Sequence, residues 1–201
     1  MAEIAKIRSL CDAHGLGLHL DGARLMNAIV ANQENPKDYG KMFHSISLCL
    51  SKGLGAPVGS VLLGDAAFIK QARRVRKVMG GGMRQAGYLA AAGLFAMEHN
   101  INRLAEDHAH AKLLASALVS CNWVGEIFPV ETNIVIFEVL GNGDSAAGIS
   151  SSLKTAPEII AALLSQNIRV SAMSPTHIRM VTHLGVTPEM IHRTVEVLKG
   201  L

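Results

Sequence analysis

Charge is scarce in this 201-residue chain, at 17% against the ~25% usual for soluble domains, and aromatics stand at only 4%. The 19 Lys and Arg against 16 Asp and Glu leave a formal +3. No basic arm interleaved with aromatics accompanies that excess, so no nucleic-acid partner is expected. Cysteine is rare as well: Cys11, Cys49 and Cys121 form no CxxC pair and are odd in number. A reduced compartment is expected rather than a disulfide framework. No apolar run reaches the ~18 residues of a membrane span, because Lys, Arg, Asp, Asn or His interrupts every stretch. The opening residues Met1–Lys6 hold neither a basic region followed by an apolar one nor an Arg/Ser-rich amphipathic leader. The expectation is a soluble, cytoplasmic protein without membrane association.

What is present is apolar residues, at 49%, and 19 Gly against 6 Pro, which excludes both disorder and collagen-like repetition. The length permits one large domain or two small ones. So low a charge content also implies surface covered by a partner subunit, hence a homo-oligomer.

Ile4, Ile7, Leu10 and Cys11 recur at helical spacing until Gly15. Gly17 to Leu20 reads as a strand closing at Asp21, and Ser45 to Leu50 as a second with alternate apolar positions. The stretch 23–42 between them is long enough for a crossover, predicting a βαβ unit with parallel strands. Gly59 to Leu63 is a third strand, after which Asp65 caps a helix whose Phe68, Ile69, Ala72, Val75 and Met79 share a face. Gly80-Gly81-Gly82 breaks it. One long helical pattern is then expected from Gln85 to about Ser120, followed by a strand at 132–139 and a polar loop at 141–152. The capping box Thr155-x-x-Glu158 opens a helix, strands are expected at 168–172 and 177–182, and Thr187-Pro188-Glu189 starts the last helix. No internal repeat is found. The expected division is 1–99 and 100–201, the second part a small α+β domain.

Chemistry is concentrated at two strand ends. Asp21 closes the first strand, and Ser51-Lys52 closes its neighbour, at the edge where open α/β sheets bind ligands. The glycines that follow Lys52, from Gly53 to Gly59, allow close backbone approach to a planar ligand or a phosphate. Such a lysine can form a Schiff base, and an acid beside it can keep the ring nitrogen of pyridoxal phosphate protonated. Taken singly, Asp21 reads as a strand-end cap and Lys52 as a solvated loop lysine; the pair is more telling. A Walker A loop is excluded because Lys52 precedes the glycines, and Gly15-x-Gly17 is too short for a dinucleotide fingerprint. Five cations on one short stretch, Lys70, Arg73, Arg74, Arg76 and Lys77, read as a solvated face, some of it available to line an anionic cofactor site. The nine histidines lack metal-ligand spacing, and no metal is expected; His19 falls in a buried-strand pattern.

The segments LHLDGARLMNA (18–28), SLCLSKGLGAPVGSVLLG (47–64), RRVRKVMGGGMRQAG (73–87) and IRMVTHLGVT (178–187) occur in an order that resembles the low-specificity L-threonine aldolases of the beta-eliminating lyase family. The resemblance implies an α/β fold: part of the large domain of a pyridoxal-phosphate-dependent transferase of aspartate-aminotransferase type (fold type I), plus a small C-terminal α+β domain. It implies retro-aldol cleavage of L-threonine or L-allo-threonine to glycine and acetaldehyde, in threonine catabolism and glycine formation. Lys52 would be the catalytic residue that holds the cofactor, with Asp21 at the ring nitrogen and Ser51 and Arg84 as further cofactor contacts. Arg24, Arg179 and Lys77 would bind the amino-acid substrate, Lys77 from a neighbouring subunit. A dimer or tetramer is implied for the full-length form.

Relatives of this kind carry a further N-terminal segment with strands, a Gly/Thr phosphate cradle, a histidine that stacks on the cofactor and the base for the substrate hydroxyl. The chain therefore reads as the C-terminal portion of the family sequence, with impaired activity by itself. The alternatives are a non-catalytic remnant that associates with full-length subunits, or another pyridoxal-phosphate-dependent beta-eliminating lyase.

Overall fold

A computed structural model describes residues 1–140 and 155–201; the polar loop expected at 141–152 lies outside the described residues. The chain divides into two compact units, Met1–Leu104 and Ala105–Leu201.

The first unit opens with α1 (Ala2–Ala13) and leads into β1 (His19–Gly22). Helices α2 (Leu25–Asn32) and α3 (Pro36–Met42) then cross to β2 (Ser45–Cys49), which pairs with β1 in parallel. The start of α3 follows from local chemistry: Asn35 Oδ1 accepts from Lys37 N at 3.0 Å, and Pro36 supplies a preset φ at the first helical position. Strand β3 (Ser60–Gly64) runs antiparallel on the other side of β2, giving the order β1-β2-β3. The alternation in β2 buries Ile46 and Leu48, which pack with Met26, Ile29, Tyr39 and Leu54. His19, expected in a buried pattern, is exposed, with Nδ1 2.8 Å from Ser45 Oγ, because β1 buries only Gly22.

Helix α4 (Ala66–Val78) has the expected cap, Asp65 Oδ1 accepting from Phe68 N at 2.8 Å. Much of its apolar face is nevertheless open to solvent: Phe68, Val75 at 59% and Met79, just past its end, at 80% are exposed, while Ile69 and Ala72 are half-buried. The single helix expected from Gln85 to Ser120 is two helices, α5 (Gly87–His99) and α6 (Leu104–Val119). The break has a physical cause: Asn100 turns its side chain away to donate to Leu54 O at 2.8 Å, and Leu104 is fully buried.

The second unit has the antiparallel sheet order β4-β5-β7-β6, built from β4 (Val124–Ile127), β5 (Ile134–Val139), β6 (Ser171–Ala172) and β7 (His177–Val181). Strand β4 was not anticipated, and the strand expected at 168–172 shortens to β6. Ile168 is instead used to stop α7 (Ala156–Ser165): its N–H donates to Leu163 O at 2.9 Å while Asn167 takes a left-handed φ of 61°. At the other end of α7, Glu158 Oε2 accepts from both the Thr155 N–H (2.7 Å) and its hydroxyl (2.9 Å). Helix α8 (Pro188–Gly200) completes the unit. Phe137, Ile178, Leu118, Ile159 and Leu198 are fully buried in one core, where Trp123 meets Phe137 edge to face at 6.0 Å. The end of β7 is fastened by a buried polar clamp. Asn133 Nδ2 donates to Thr182 O at 2.7 Å, Thr182 N donates to Asn133 O at 3.0 Å, and Thr182 Oγ1 donates to Asp107 O at 2.6 Å.

Candidate active site

Parallel pairing brings the carboxyl ends of β1 and β2 to one edge of the sheet, with Asp21 in register with Ser47. Asp21 is exposed, and its Oδ1 accepts from Ala23 N at 3.1 Å, a short turn that fixes the carboxylate just before α2. The next residue has no room for a side chain: a Cβ on Gly22 would lie 2.7 Å from Ser47 O. Arg24 is half-buried at the N-cap of α2, three residues beyond Asp21.

The loop after β2 shows how a lysine can be presented to solvent on a rigid base. Leu50 N donates to Gly59 O and Ala56 N to Leu50 O, both at 3.0 Å, while Gly55 N closes a turn on Lys52 O at 2.9 Å. The left-handed φ of 74° at Gly55 permits that turn. Leu54 and Ala56 are buried as anchors, which leaves Ser51 and Lys52 exposed. Gly53 is wedged against α2 and the start of α6: a Cβ there would stand 3.0 Å from Asn27 Oδ1 and 3.0 Å from Leu104 Cδ2. Lys52 Nζ makes no hydrogen bond or ion pair among the described residues, and Asp21 makes no ion pair. The amine and the carboxylate thus stand at neighbouring strand ends without being consumed by each other.

Cys49, not singled out from the sequence, belongs to this edge. Burial works to raise its thiol, but hydrogen bonds involving Ser51 and Ser60, with the charge of Lys52, outweigh burial and hold it below the ordinary thiol value. Its position two residues before Ser51 was the available signal.

The remaining expected site residues are placed elsewhere. Lys77 is exposed near the end of α4, where its stem covers Gly82; a Cβ on that glycine would lie 2.5 Å from Lys77 Cδ. Arg84 is exposed just beyond the triple glycine. Neither makes a hydrogen bond or ion pair with Asp21 or Lys52. Arg179 lies in the second unit, half-buried on β7 opposite Ile136 and beside Ser171 of β6. The described residues contain no group of three His, Cys, Asp or Glu arranged to hold a metal ion. None of their helices is long and apolar enough to cross a membrane.

The model of the family described as Beta-eliminating lyase matches residues 1–141. The chain belongs to the beta-eliminating lyase family. Among curated relatives, it is 38% identical over 191 residues to the Low-specificity L-threonine aldolase 1 of Arabidopsis thaliana, covering 94% of this chain and 51% of that protein. The chain spans about half the length of the curated relatives it matches. Among solved structures, the Leishmania major threonine aldolase superposes with a TM-score of 0.74 at 21% identity, covering 99% of this chain and 56% of the other. The histidinol-phosphate aminotransferase of Clostridium acetobutylicum superposes with a TM-score of 0.68 at 10% identity, covering 100% and 58%. These likenesses establish the aminotransferase-like fold of type I.

Pyridoxal phosphate is the cofactor of the beta-eliminating lyases and of this fold. The residues at the β1 and β2 edge fit it in kind. Lys52 offers an amine for its aldehyde carbon, Asp21 an anion for its ring nitrogen, and Ser51 a hydroxyl, on a backbone where Gly22 and Gly53 exclude side chains.

Proposed function

We propose that the protein carrying this chain cleaves L-threonine or L-allo-threonine to glycine and acetaldehyde with pyridoxal phosphate. The observation that carries the reading is the uncommitted pair, Asp21 and Lys52, at adjacent ends of parallel strands. The likeness to low-specificity L-threonine aldolases narrows the reaction within the family. Residues 1–99 are read as part of the large, cofactor-binding domain and 100–201 as the small domain.

When bound, pyridoxal phosphate supplies a conjugated ring able to accept the electron pair released as the substrate Cα–Cβ bond breaks. Lys52 Nζ would be the amine that holds the cofactor. Asp21 keeps a proton on the ring nitrogen by placing a negative charge beside it. Arg24 and Arg179 grip the substrate carboxylate through planar guanidinium groups, and Lys77 assists from a neighbouring subunit. Ser51 and Arg84 contact the cofactor.

A homo-oligomeric, cytoplasmic enzyme is part of the same reading. Support for the oligomer is a set of exposed large apolar residues on α4, just after it and on α5, including Val78 at 77%, Met79 at 80% and Tyr88 at 90%. The test is acetaldehyde release from L-threonine by the full-length protein supplied with pyridoxal phosphate. Loss of release on Lys52→Ala supports the reading, and unchanged release refutes it.

A further inference from the structure

The C-terminal unit contains a cavity of about 470 Å³, bounded by the end of α7, the end of β7 and the first turns of α8. That volume is within the range of small-molecule pockets. Leu114, Met180 and Ile191 form a buried apolar floor, beside which the buried Thr182 and Thr194 also line it. Arg169 and Arg193 stand at its rim, both exposed. Arg193 donates to the neutral amide of Gln166 at 3.2 Å, and neither guanidinium has an ion pair among the described residues. Among the described residues, no Asp or Glu lines the cavity.

From these observations we infer that the cavity is a second binding site, for a small free carboxylate with an apolar body. Two guanidinium groups with no acid to balance them favour an anion, and a planar carboxylate matches the guanidinium fork with two parallel hydrogen bonds. The apolar floor in turn favours an apolar body, which inorganic phosphate cannot supply. The rim is held in place by secondary structure. The left-handed turn at Asn167, which ends α7, positions Arg169, and α8 carries Arg193. The site is separate from the one that Arg179 would serve. The cavity is lined by the end of β7 from Met180 onward, and Arg179 is not among its lining residues.

The experiment is calorimetric titration of the full chain with 4-phenylbutyrate, with 4-phenylbutylamine and inorganic phosphate as probes of charge and of the apolar body. Saturable binding of 4-phenylbutyrate is expected, at least tenfold tighter than either control. It should weaken at least tenfold in the double variant Arg169→Gln, Arg193→Gln and be unchanged in Lys52→Ala. Equal binding of the amine or of phosphate, no saturable binding, or indifference to the double variant would overturn the inference. Methyl chemical-shift changes in the unsubstituted chain provide a second readout that needs no rim variant. Shifts centred on Met180 and Ile191 support the site, and shifts confined elsewhere contradict it.

Discussion

Asp21 stands in register with Ser47 on parallel strands, so its carboxylate and the amine of Lys52, five residues past Ser47, leave the sheet at the same edge. Because Asp21 is proposed to hold a proton on the cofactor ring, Asp21→Asn in the full-length protein should retain part of the cofactor binding and lose most of its turnover. Cofactor absorbance and kcat, measured together, check this. An unchanged kcat would exclude the pairing.

Gly53 is a packing requirement. Alanine there would press on Asn27 Oδ1 and Leu104 Cδ2, each at 3.0 Å, and displace the loop that presents Lys52. Overpacking of this kind costs about 1–3 kcal/mol. Denaturant unfolding of Gly53→Ala should show a loss of that size, and an unchanged midpoint would mean that the loop yields freely.

The three thiols should not react alike. Cys49 is half-buried with its thiol held below the ordinary value, whereas burial pushes the Cys121 thiol up, against a weaker opposing effect of Lys199. Cys121 is also enclosed, its thiol donating to Ala117 O and Leu198 O at 3.4 Å each. Iodoacetamide at neutral pH, followed by peptide mapping, should modify Cys49 well before Cys121. The reverse order would contradict the described environments.

Tyr39 ties the first unit's stability to alkaline pH. Burial first, then its hydrogen bond to Glu34 and the charge of that carboxylate, push the phenol up to about 12. A group raised in the folded state contributes fully below its unfolded value near 10, and the contribution disappears as pH rises through about 12. Unfolding free energy should therefore fall between pH 10 and 12, by about 2 to 3 kcal/mol in total. Tyr39→Phe should flatten that slope; an equal slope in the variant would place its origin elsewhere.

The parts of the fold legible in the sequence are those written in short-range pattern. Ile46 and Leu48 alternate within five residues and identify β2. Asp65 and Thr187-Pro188 announce helix starts through contacts three residues away. Less was legible where a distant partner decides. The break after His99 depends on Leu54, 46 residues from Asn100, so an unbroken Ala/Leu-rich pattern concealed it. Strand β4 offers only Val124-Gly125-Glu126-Ile127, too short and too glycine-interrupted to show alternation. The face of α4 was readable as apolar, but periodicity does not say whether anything covers it, and Val75 and Met79 are exposed. At the candidate site, Asp21 and Lys52 could be read because strand ends mark them. Cys49 was missed because its altered acidity arises from Ser51, Ser60 and Lys52 together.

The most direct test of the central claim is the identity of the lysine that carries the cofactor. The full-length protein is loaded with pyridoxal phosphate, reduced with borohydride, digested and mapped by mass spectrometry. The account predicts the pyridoxyl label on Lys52 and its disappearance in Lys52→Ala; a label on any other lysine, or one that persists in that variant, would contradict it.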